Sequence, residues 1–488
     1  MIGINRSTRP WWRFVSALAA CVCLLAVSAA PVSTAGQYDR RWLAEILGRE
    51  VNGTNAWTHL QAISAATAAN GGNRVSGSAG YDASAGYLTR TLSEAGYQVR
   101  RQEFTFPDYE TVAETAAVTA PVNRPLHALL AYFSVSTPDQ GLARPAVLPK
   151  GQATGCTAAD YAGADVAGKI VLVDIGACTT AAKQLTAAAA GAAAMLMNVN
   201  YPRETMNIRY RINPPGDARI PTATLPRGEA EQLKADIARG PVSVRLDLRS
   251  RAVTTRAYNL IADTRSGSAN DTVVLGAHLD SVDITPGMND NAAAAAMELE
   301  IALRLAPYAG HLKNRVRFAW WAAEEKGLVG SRHYVDQLTP PQRDGTALYL
   351  NLEMIASPNF ARLVYNGRTP NGPAPRGSER ITKVITDYFA ARNLPTAGRD
   401  LDDRSDHAPF VAAGIPSGGV NAGAETLKPP EWVRLFGGTA GEMLDSCYHQ
   451  PCDTLDNVNK TIFDQFGRSV GWATGRFAID VSDVRGNP

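Results

Sequence analysis

The sequence predicts an α/β protein built on a mostly parallel, mixed sheet with helices on both faces. Strand and helix patterns alternate from Ala257 to the C-terminus, as expected for a sheet of this kind. The strand patterns are nearly continuous apolar runs, which is typical of strands buried on both faces. Several of these runs stop at histidine or acidic residues, and ligands of such sheets bind outside the carboxyl ends of the strands. We therefore expect the functional site at that edge.

Length and composition indicate a globular protein of two to three domains. The chain has 488 residues, of which 45% are hydrophobic and 19% charged. Its formal charge is only +2. A nucleic-acid-binding role that depends on a strongly basic surface is thereby excluded.

The first 35 residues have the pattern of a secretory signal. Three arginines and no acidic residue are followed by the apolar run Phe14–Val27 and by small residues up to Ala35. Removal of residues 1–35 would lower the formal charge to about −1. Cys21 lies in a lipobox-like context, which leaves lipid attachment as a minor alternative. No later stretch is long and apolar enough for a membrane helix, so we expect no transmembrane anchor in the mature chain.

An inserted domain interrupts the α/β pattern. Residues Trp42–Leu92 are mainly helical in pattern, and Tyr97–Phe106 alternates as a strand does, yet the next comparable strand is Ala257–Ala262. Between them lie prolines, short β runs such as Lys169–Asp174 and an alanine-rich helix predicted over Ala181–Ala194. We predict a β-rich insert at 111–250, which divides the main domain into 37–110 and 251–488.

The main domain continues with alternating elements. The predicted helices are Asn291–Leu305, Ser331–Leu338, Glu379–Ala391 and Ile462–Ile479, and the predicted strands are Val316–Trp321 and Leu348–Leu352.

Three predicted strands end in residue types that bind metals. The first, Val273–Leu275, breaks at Gly276 and is followed by His278 and Asp280, with Asp290 before an alanine-rich helix. The others deliver three glutamates: Glu324, Glu325 and Glu353. Two neighbouring zinc ions need a bridging carboxylate together with imidazole and carboxylate ligands. This set of residues meets that need.

Each of these residues has a candidate role and a structural alternative. Asp290 is the natural bridge between two ions, although it could also cap the following helix. His278 is a candidate ligand whose second ring N–H the Asp280 side chain could accept. The adjacent pair Glu324 and Glu325 could divide the roles of metal ligand and general base, or be a solvated acidic pair.

The last ligand is a histidine near the C-terminus. His449 lies in the short loop between Cys447 and Cys452, and His407 is its competitor. We favour His449, because a crosslinked loop fixes a ligand in place.

Four cysteines remain after the signal, an even number spaced as two local pairs: Cys156 with Cys178 and Cys447 with Cys452. Such spacing in an exported chain indicates disulfides and an oxidising compartment.

These residues resemble metallopeptidase family 28, the co-catalytic di-zinc aminopeptidases, and most closely its secreted bacterial leucine-type members. The match spans most of the chain outside the insert, and residues 70–87 also resemble the family's N-terminal segment. The matching motifs are Ala277–Val282, Gly287–Ala292, Ala322–Ser331, Asn351–Ile355, Asp403–Asp406 and Gly437–Thr454. The insert resembles a protease-associated domain.

The resemblance implies a zinc exopeptidase fold and a role for each site residue. One zinc would be held by His278, Asp290 and Glu353, and the other by Asp290, Glu325 and His449. Glu324 would be the general base, Tyr448 a donor to the developing oxyanion, and Arg404 a substrate contact. At position 353 the closer relatives usually carry aspartate, so this chain has a side chain one methylene longer.

We therefore expect a secreted aminopeptidase with two zinc ions that removes large apolar, leucine-type residues from peptide or protein N-termini. We expect it to act as a monomer, without a nucleic-acid partner. The alternatives are a carboxypeptidase or aminoacylase of the same metal clan and, from another class, a non-catalytic receptor-like binding protein.

Overall fold

The computed structural model describes residues 41–213 and 216–486. The predicted signal, its cleavage near Ala35 and the alternative lipid attachment at Cys21 lie outside the described residues.

Three helices open the described chain, and a long strand follows them. The side chains of Asn52 and Ser78 accept the backbone N–H of Asn55 and Tyr81, and so cap the second and third helices. The strand extends well beyond the predicted Tyr97–Phe106. The bounds are α1 Trp42–Glu50, α2 Gly53–Ala69, α3 Ala79–Glu94 and β1 Gln98–Ala120.

The strands of the insert form one part of a continuous sheet, which the strand Val242–Asp263 joins to the main domain. Four of its strands run parallel in the order Leu142–Val147, Ile170–Asp174, Ala194–Val199 and Thr222–Pro226, and Leu129–Leu130 closes one edge in the antiparallel direction. The bounds are β2 Arg124–Leu126, β3 Leu129–Leu130, β4 Leu142–Val147, β5 Ile170–Asp174, α4 Thr180–Ala189, β6 Ala194–Val199, β7 Thr222–Pro226 and α5 Arg227–Arg239.

The helix predicted over Ala181–Ala194 is too long. It ends at Ala189, and Gly191 adopts φ +88°, a left-handed conformation that terminates helices. Ala194 then begins a buried strand. An alanine run carries no signal that separates a helix from a buried strand, so only the glycine marks the break.

The rest of the chain returns to the main domain. Its elements are β8 Val242–Asp263, β9 Ser268–His278, α6 Ala293–Leu305, β10 Asn314–Trp321, α7 Val329–Asp336, α8 Pro340–Asp344, β11 Thr346–Glu353, β12 Leu363–Tyr365, β13 Arg368–Thr369, β14 Gly372–Pro373, α9 Ser378–Ala390, β15 Ala397–Arg399, α10 His407–Ala412, β16 Ser417–Asn421, α11 Pro430–Phe436, α12 Lys460–Ile479 and α13 Ser482–Arg485.

In the main domain the sheet has the order β15-β12-β16-β11-β9-β10-β8, and β1 pairs with β8. The sheet continues into the insert because β8 also pairs with β4. The central strands β16, β11, β9 and β10 are parallel, whereas β12 and β8 pair with their neighbours in the antiparallel direction. The predicted α/β class with a mostly parallel, mixed sheet is confirmed.

Strand β10 explains why both faces of the sheet are covered. Phe318 and Trp320 pack into the large core that includes α6 and α12. Ala319 and Trp321 point the other way, into a second core with Tyr334 of α7 and Phe410 of α10. Successive side chains of a strand alternate between faces, so a continuous apolar run requires helices on both sides.

The antiparallel ribbon of β1 and β8 joins the two domains. It is continuous, but its register shifts at Thr111–Ala113, opposite Arg249 and Ser250. The predicted boundaries at 110/111 and 250/251 fall at this bulge. The main cores on either side share no residue. The boundaries themselves stay a prediction.

Candidate metal centre

The carboxyl ends of three adjacent strands form the candidate site. Strand β9 lies between β10 and β11, parallel to both. It ends at His278, β11 ends at Glu353, and β10 ends three residues before Glu324. The parallel arrangement brings these ends to one edge of the sheet, as the sequence predicts.

His278 is buried and faces two carboxylates. Its Nε2 lies 3.2 Å from Asp290 Oδ1 and 3.6 Å from Glu353 Oε1. Its Nδ1 lies 3.1 Å from the backbone carbonyl oxygen of Asp280, whereas the Asp280 Oδ1 is 3.7 Å away. The expectation that the Asp280 side chain accepts this ring N–H is therefore corrected. The backbone carbonyl is the acceptor within hydrogen-bond distance.

The Asp280 carboxylate has a different contact. It accepts the backbone N–H of Glu324 at 3.2 Å and that of Glu325 at 3.3 Å. Asp280 thus connects the loop after β9 to the loop after β10. Its effect on the site is to hold the backbone of the glutamate pair.

Asp290 lies between the two histidines. Its Oδ1 faces His278, and its Oδ2 lies 3.2 Å from His449 Nε2. Burial alone would raise the pKa of Asp290, but hydrogen bonds from these histidines hold that pKa well below its ordinary value. The carboxylate therefore stays ionised with one oxygen toward each imidazole.

Asp290 does not cap the following helix. Helix α6 begins at Ala293, its cap residue is Ala292, and no side chain caps its first turn. Asp290 lies one turn earlier, with non-helical φ −112° and ψ 90°. The capping alternative is therefore wrong.

His449 completes the second half of the cluster. Its Nε2 is 3.1 Å from Glu325 Oε2. The competitor His407 is buried elsewhere, with Nε2 2.7 Å from the carbonyl oxygen of Asp402. Of the two candidates, only His449 is within ion-pair distance of Asp290 and Glu325.

Glu324 faces the cleft without a hydrogen-bond partner for its side chain among the described residues. Its Oε2 is 3.9 Å from His278 Nε2, and its carboxylate accepts no hydrogen bond from the part of the chain that the structure describes. Burial raises the pKa of Glu324 well above its ordinary value. A carboxylate with a raised pKa is a stronger proton acceptor, as a general base requires.

Tyr448 and Arg404 both line this cleft. The Tyr448 ring stacks on His449 with centroids 3.9 Å apart. Burial raises the pKa of Tyr448, so its phenol keeps its proton and can donate a hydrogen bond. Arg404 is half exposed, and its Nη1 donates to Glu425 Oε1 at 2.6 Å.

Two buried residues support the site without having been expected from sequence. Asp453 accepts the backbone N–H of Asn289 at 2.8 Å and of Asp290 at 3.0 Å. Arg74 is fully buried and donates to the carbonyl oxygens of Leu279 and Gly287. Both contacts join segments far apart in the chain. In the sequence, the only indication of a role for either residue was that it lies in a segment resembling the metallopeptidase family.

The donor set fits zinc. Imidazole and carboxylate are the usual zinc ligands. Ligating atoms of His278, Asp290 and Glu325 lie within 4.8 Å of one another, as do those of His278, Glu324 and Glu353. The Oε1 atom of Glu325 is buried without a hydrogen-bond partner in the described structure. Buried carboxylate oxygens are normally satisfied, so a cation explains this one.

Glu353 provides a test of the part of the cluster that surrounds His278. Its Oε2 accepts the Ser405 hydroxyl at 2.6 Å, which fixes the carboxylate beside His278. We expect Glu353→Ala to lose one zinc selectively, whereas Glu353→Asp keeps it because it preserves the charge and donor type. Zinc titration of the two variants measures this. Full occupancy of both sites in Glu353→Ala would contradict a ligand role.

The predicted disulfides Cys156–Cys178 and Cys447–Cys452 are confirmed. The second encloses Tyr448 and His449. Loop-closure entropy assigns about 2 kcal/mol to this short loop and about 3.4 kcal/mol to the longer one. The Cys447–Cys452 bond is therefore the weaker global constraint, although it holds the residues nearest the cleft.

Replacement of both Cys447 and Cys452 by serine tests this division. We expect lower zinc affinity and turnover with only a modest fall in the melting temperature of the zinc-free protein, because a small ligand displacement is costly. Zinc titration, kinetics and thermal melting measure the three effects. A variant that unfolds readily, while its folded fraction binds zinc and turns over normally, would contradict the expectation.

Comparison with known proteins identifies the family. The model for Peptidase family M28 matches residues 259–473, and that for the PA domain matches residues 142–233. The chain is 37% identical over 438 residues to the probable lipoprotein aminopeptidase LpqL of Mycobacterium tuberculosis, covering 88% of this chain and 86% of that protein. It is 33% identical over 419 residues to the probable leucine aminopeptidase 2 of Aspergillus fumigatus, covering 84% and 80%.

A solved structure shares the architecture. A zinc aminopeptidase from Bacillus subtilis matches with a TM-score of 0.67 and 25% identity, covering 87% of this chain and 94% of that one.

A cluster of histidines and carboxylates at the carboxyl edge of a parallel sheet, with a donor set that fits zinc, defines a zinc hydrolase. The chain belongs to Peptidase family M28 and acts on peptides, and a PA domain precedes most of its catalytic elements.

Proposed function

We propose that the chain is an exported aminopeptidase that uses two zinc ions. The observation that carries this proposal is the position of Asp290, whose two oxygens face different histidines, each at 3.2 Å. A carboxylate shared in this way suits a pair of neighbouring ions. Relatives named as aminopeptidases support the choice of reaction.

The proposed ligand sets divide the cluster in two. His278, Asp290 and Glu353 hold one ion, and Asp290, Glu325 and His449 hold the other. Zinc held there would supply Lewis-acid polarisation of the scissile carbonyl and would make the attacking water more acidic.

The remaining side chains position and transfer protons. Glu324 takes a proton from the attacking water and passes one to the leaving amine. Tyr448 donates a hydrogen bond to the oxygen of the scissile carbonyl as negative charge develops there. Asp280 holds the backbone of the glutamate pair in place. The substrate's α-ammonium lies between the carboxylates of Glu324 and Glu353.

Two features support a preference for large apolar N-terminal residues. Met354 and Ala424 line the cleft beside Glu353 and offer apolar contact. The Aspergillus fumigatus relative is named as a probable leucine aminopeptidase.

The carboxypeptidase alternative needs a cation free to bind a terminal carboxylate. Arg404 is the candidate, but its guanidinium is engaged by Glu425 at 2.6 Å. We propose that Arg404 contacts the substrate from this paired position. The pairing favours the aminopeptidase function over the alternative.

Export is supported by two disulfides, which persist in oxidising compartments. The relative from Mycobacterium tuberculosis is named as a lipoprotein, so attachment at Cys21 is the alternative to release. Among the described residues, no helix is long and apolar enough to cross a bilayer. We further propose a monomer with domain boundaries at 110/111 and 250/251.

Blocking the substrate's α-amine tests the reaction. We expect N-acetyl-leucine p-nitroanilide to be cleaved at least about a hundredfold more slowly than leucine p-nitroanilide, because the carboxylates lose the ammonium that they bind. The measurement is kcat/KM for both substrates on zinc-loaded enzyme. Comparable rates would favour an aminoacylase or endopeptidase.

A further inference from the structure

A second cavity adjoins the catalytic cleft on the side of the insert. Its volume is about 690 Å³, within the range of about 300–1,000 Å³ usual for ligand sites. The insert supplies most of its wall, including Tyr201 and Tyr210. Arg404 lines both this cavity and the catalytic cleft, so the two are neighbours.

The cavity lies beside the residue proposed to meet the scissile carbonyl. Tyr448 belongs to the same apolar cluster as Ile175, Tyr201 and Tyr210, all three of which line the cavity. Arg211, also in the wall, donates from Nη2 to the backbone oxygen of Glu325 at 2.9 Å. A peptide that leaves the carbonyl side of the cleft therefore meets this cavity.

The cavity wall includes three cations, Lys183, Arg211 and Arg404, and no acidic residue. Lys183 is only 1% exposed, and its Nζ donates to the carbonyl oxygen of Thr154 at 2.7 Å. Arg211 likewise donates to a carbonyl. Within residues 41–213 and 216–486, neither Lys183 nor Arg211 forms an ion pair, whereas Arg404 pairs with Glu425. Lys183 and Arg211 donate hydrogen bonds to neutral carbonyl oxygens, and the carboxylates that act on them, such as Asp174 on Lys183, do so from beyond ion-pair distance. An anion in the cavity would therefore be attracted.

Contacts between the insert and the loop that carries Tyr448 and His449 hold the wall of the cavity in place. Arg203 donates from Nη1 to the carbonyl oxygen of Ser446 at 2.9 Å. Gln450 donates from Nε2 to the carbonyl oxygen of Asn207 at 2.6 Å. Both contacts fix the insert against the loop that carries Tyr448 and His449. A site fixed before binding loses less entropy when a ligand enters.

We propose that this cavity binds the leaving part of the peptide substrate and favours a carboxylate there, either the C-terminal carboxylate or an acidic side chain. The proposal rests on the aminopeptidase function proposed above. It gives the insert a role in substrate selection.

The first test varies the substrate. We expect kcat/KM for leucine followed by two to four glycines to exceed that of the same peptide with a C-terminal amide by about threefold to fivefold, the effect of one partly exposed ion pair. A glutamate placed among the glycines of the amidated peptide should restore the loss if a side chain can supply the carboxylate. Equal values for all these peptides would overturn the proposal.

The second test changes the cavity's charge at Asn213, an exposed residue of its wall. We expect Asn213→Asp to lower, and Asn213→Lys to raise, kcat/KM for the free-acid peptides by about threefold to fivefold. Leucine p-nitroanilide carries no carboxylate, so its cleavage should not change. The matched control is Asn270→Asp near the opposite end of β9, which should affect neither substrate.

The outcomes separate the two proposals. Normal anilide cleavage with peptide rates unaffected by the charge at position 213 overturns the carboxylate site alone. Failure of the wild-type enzyme to cleave leucine p-nitroanilide overturns the aminopeptidase function.

Discussion

The Glu324→Gln enzyme is expected to bind zinc normally and to lose about a hundredfold to ten-thousandfold in kcat, the contribution typical of a general base. Glutamine has nearly the same shape but cannot accept the proton. Glu324 is suited to this change, since its carboxylate accepts no hydrogen bond from the described residues and its contact with His278 Nε2 is long, at 3.9 Å. Kinetics on zinc-loaded protein, with zinc content measured on the same sample, provide the result.

A matched control separates proton transfer from the loss of a negative charge. Glu442 is exposed and lies on the chain segment before the disulfide loop. Glu442→Gln removes the same charge and should leave both zinc binding and kcat unchanged. Near-normal turnover in fully loaded Glu324→Gln would show that this residue is not the base.

Replacement of Asp290 is expected to have the largest effect on metal content. Asp290→Ala removes the only carboxylate that lies within ion-pair distance of both His278 and His449 among the described residues, so both ions should bind weakly. Loss of metal removes several kcal/mol of transition-state stabilisation, and activity should fall by about a thousandfold or more. Zinc titration and kinetics measure the two effects.

The contrast with Glu353→Ala makes this result specific. Of the two site histidines, Glu353 is within ion-pair distance of His278 and not of His449, so its loss should leave the ion beside His449 in place. An Asp290→Ala protein that keeps one tightly bound zinc would assign Asp290 to a single ion and would rule out a bridge.

The fold was predictable where the pattern of burial is local. Continuous apolar strands such as Phe318–Trp321 require cover on both faces, and their ends indicated the edge at which Glu324 and Glu353 would meet. The insert was also predictable, because a change in composition separates Phe106 from Ala257. Its elements were harder to predict, as the alanine-rich helix and strand show.

Contacts between distant segments were not predictable. Arg74 holds the loop between Leu279 and Gly287 across more than 200 residues, and Asp453 holds the backbone of Asp290 across 163. Whether His278 Nδ1 donates to the backbone carbonyl of Asp280 or to the Asp280 side chain depends on a few tenths of an ångström. Neither residue spacing nor hydrophobic pattern contains such information.

The contacts between the insert and the loops of the metal centre were likewise not predictable from the sequence. Arg203 reaches Ser446, and Arg211 reaches the backbone of Glu325. These contacts depend on how the surfaces of the two domains meet, and the continuous β1–β8 ribbon connects those domains. A sequence that predicts each domain separately does not predict how their surfaces meet.

Anomalous diffraction at the zinc edge from crystals of the zinc-loaded protein tests the central claim most directly. We expect two peaks of comparable height, one next to each oxygen of Asp290, with His278 and His449 as ligands of different ions. A single peak shared by both histidines would contradict the two-ion centre.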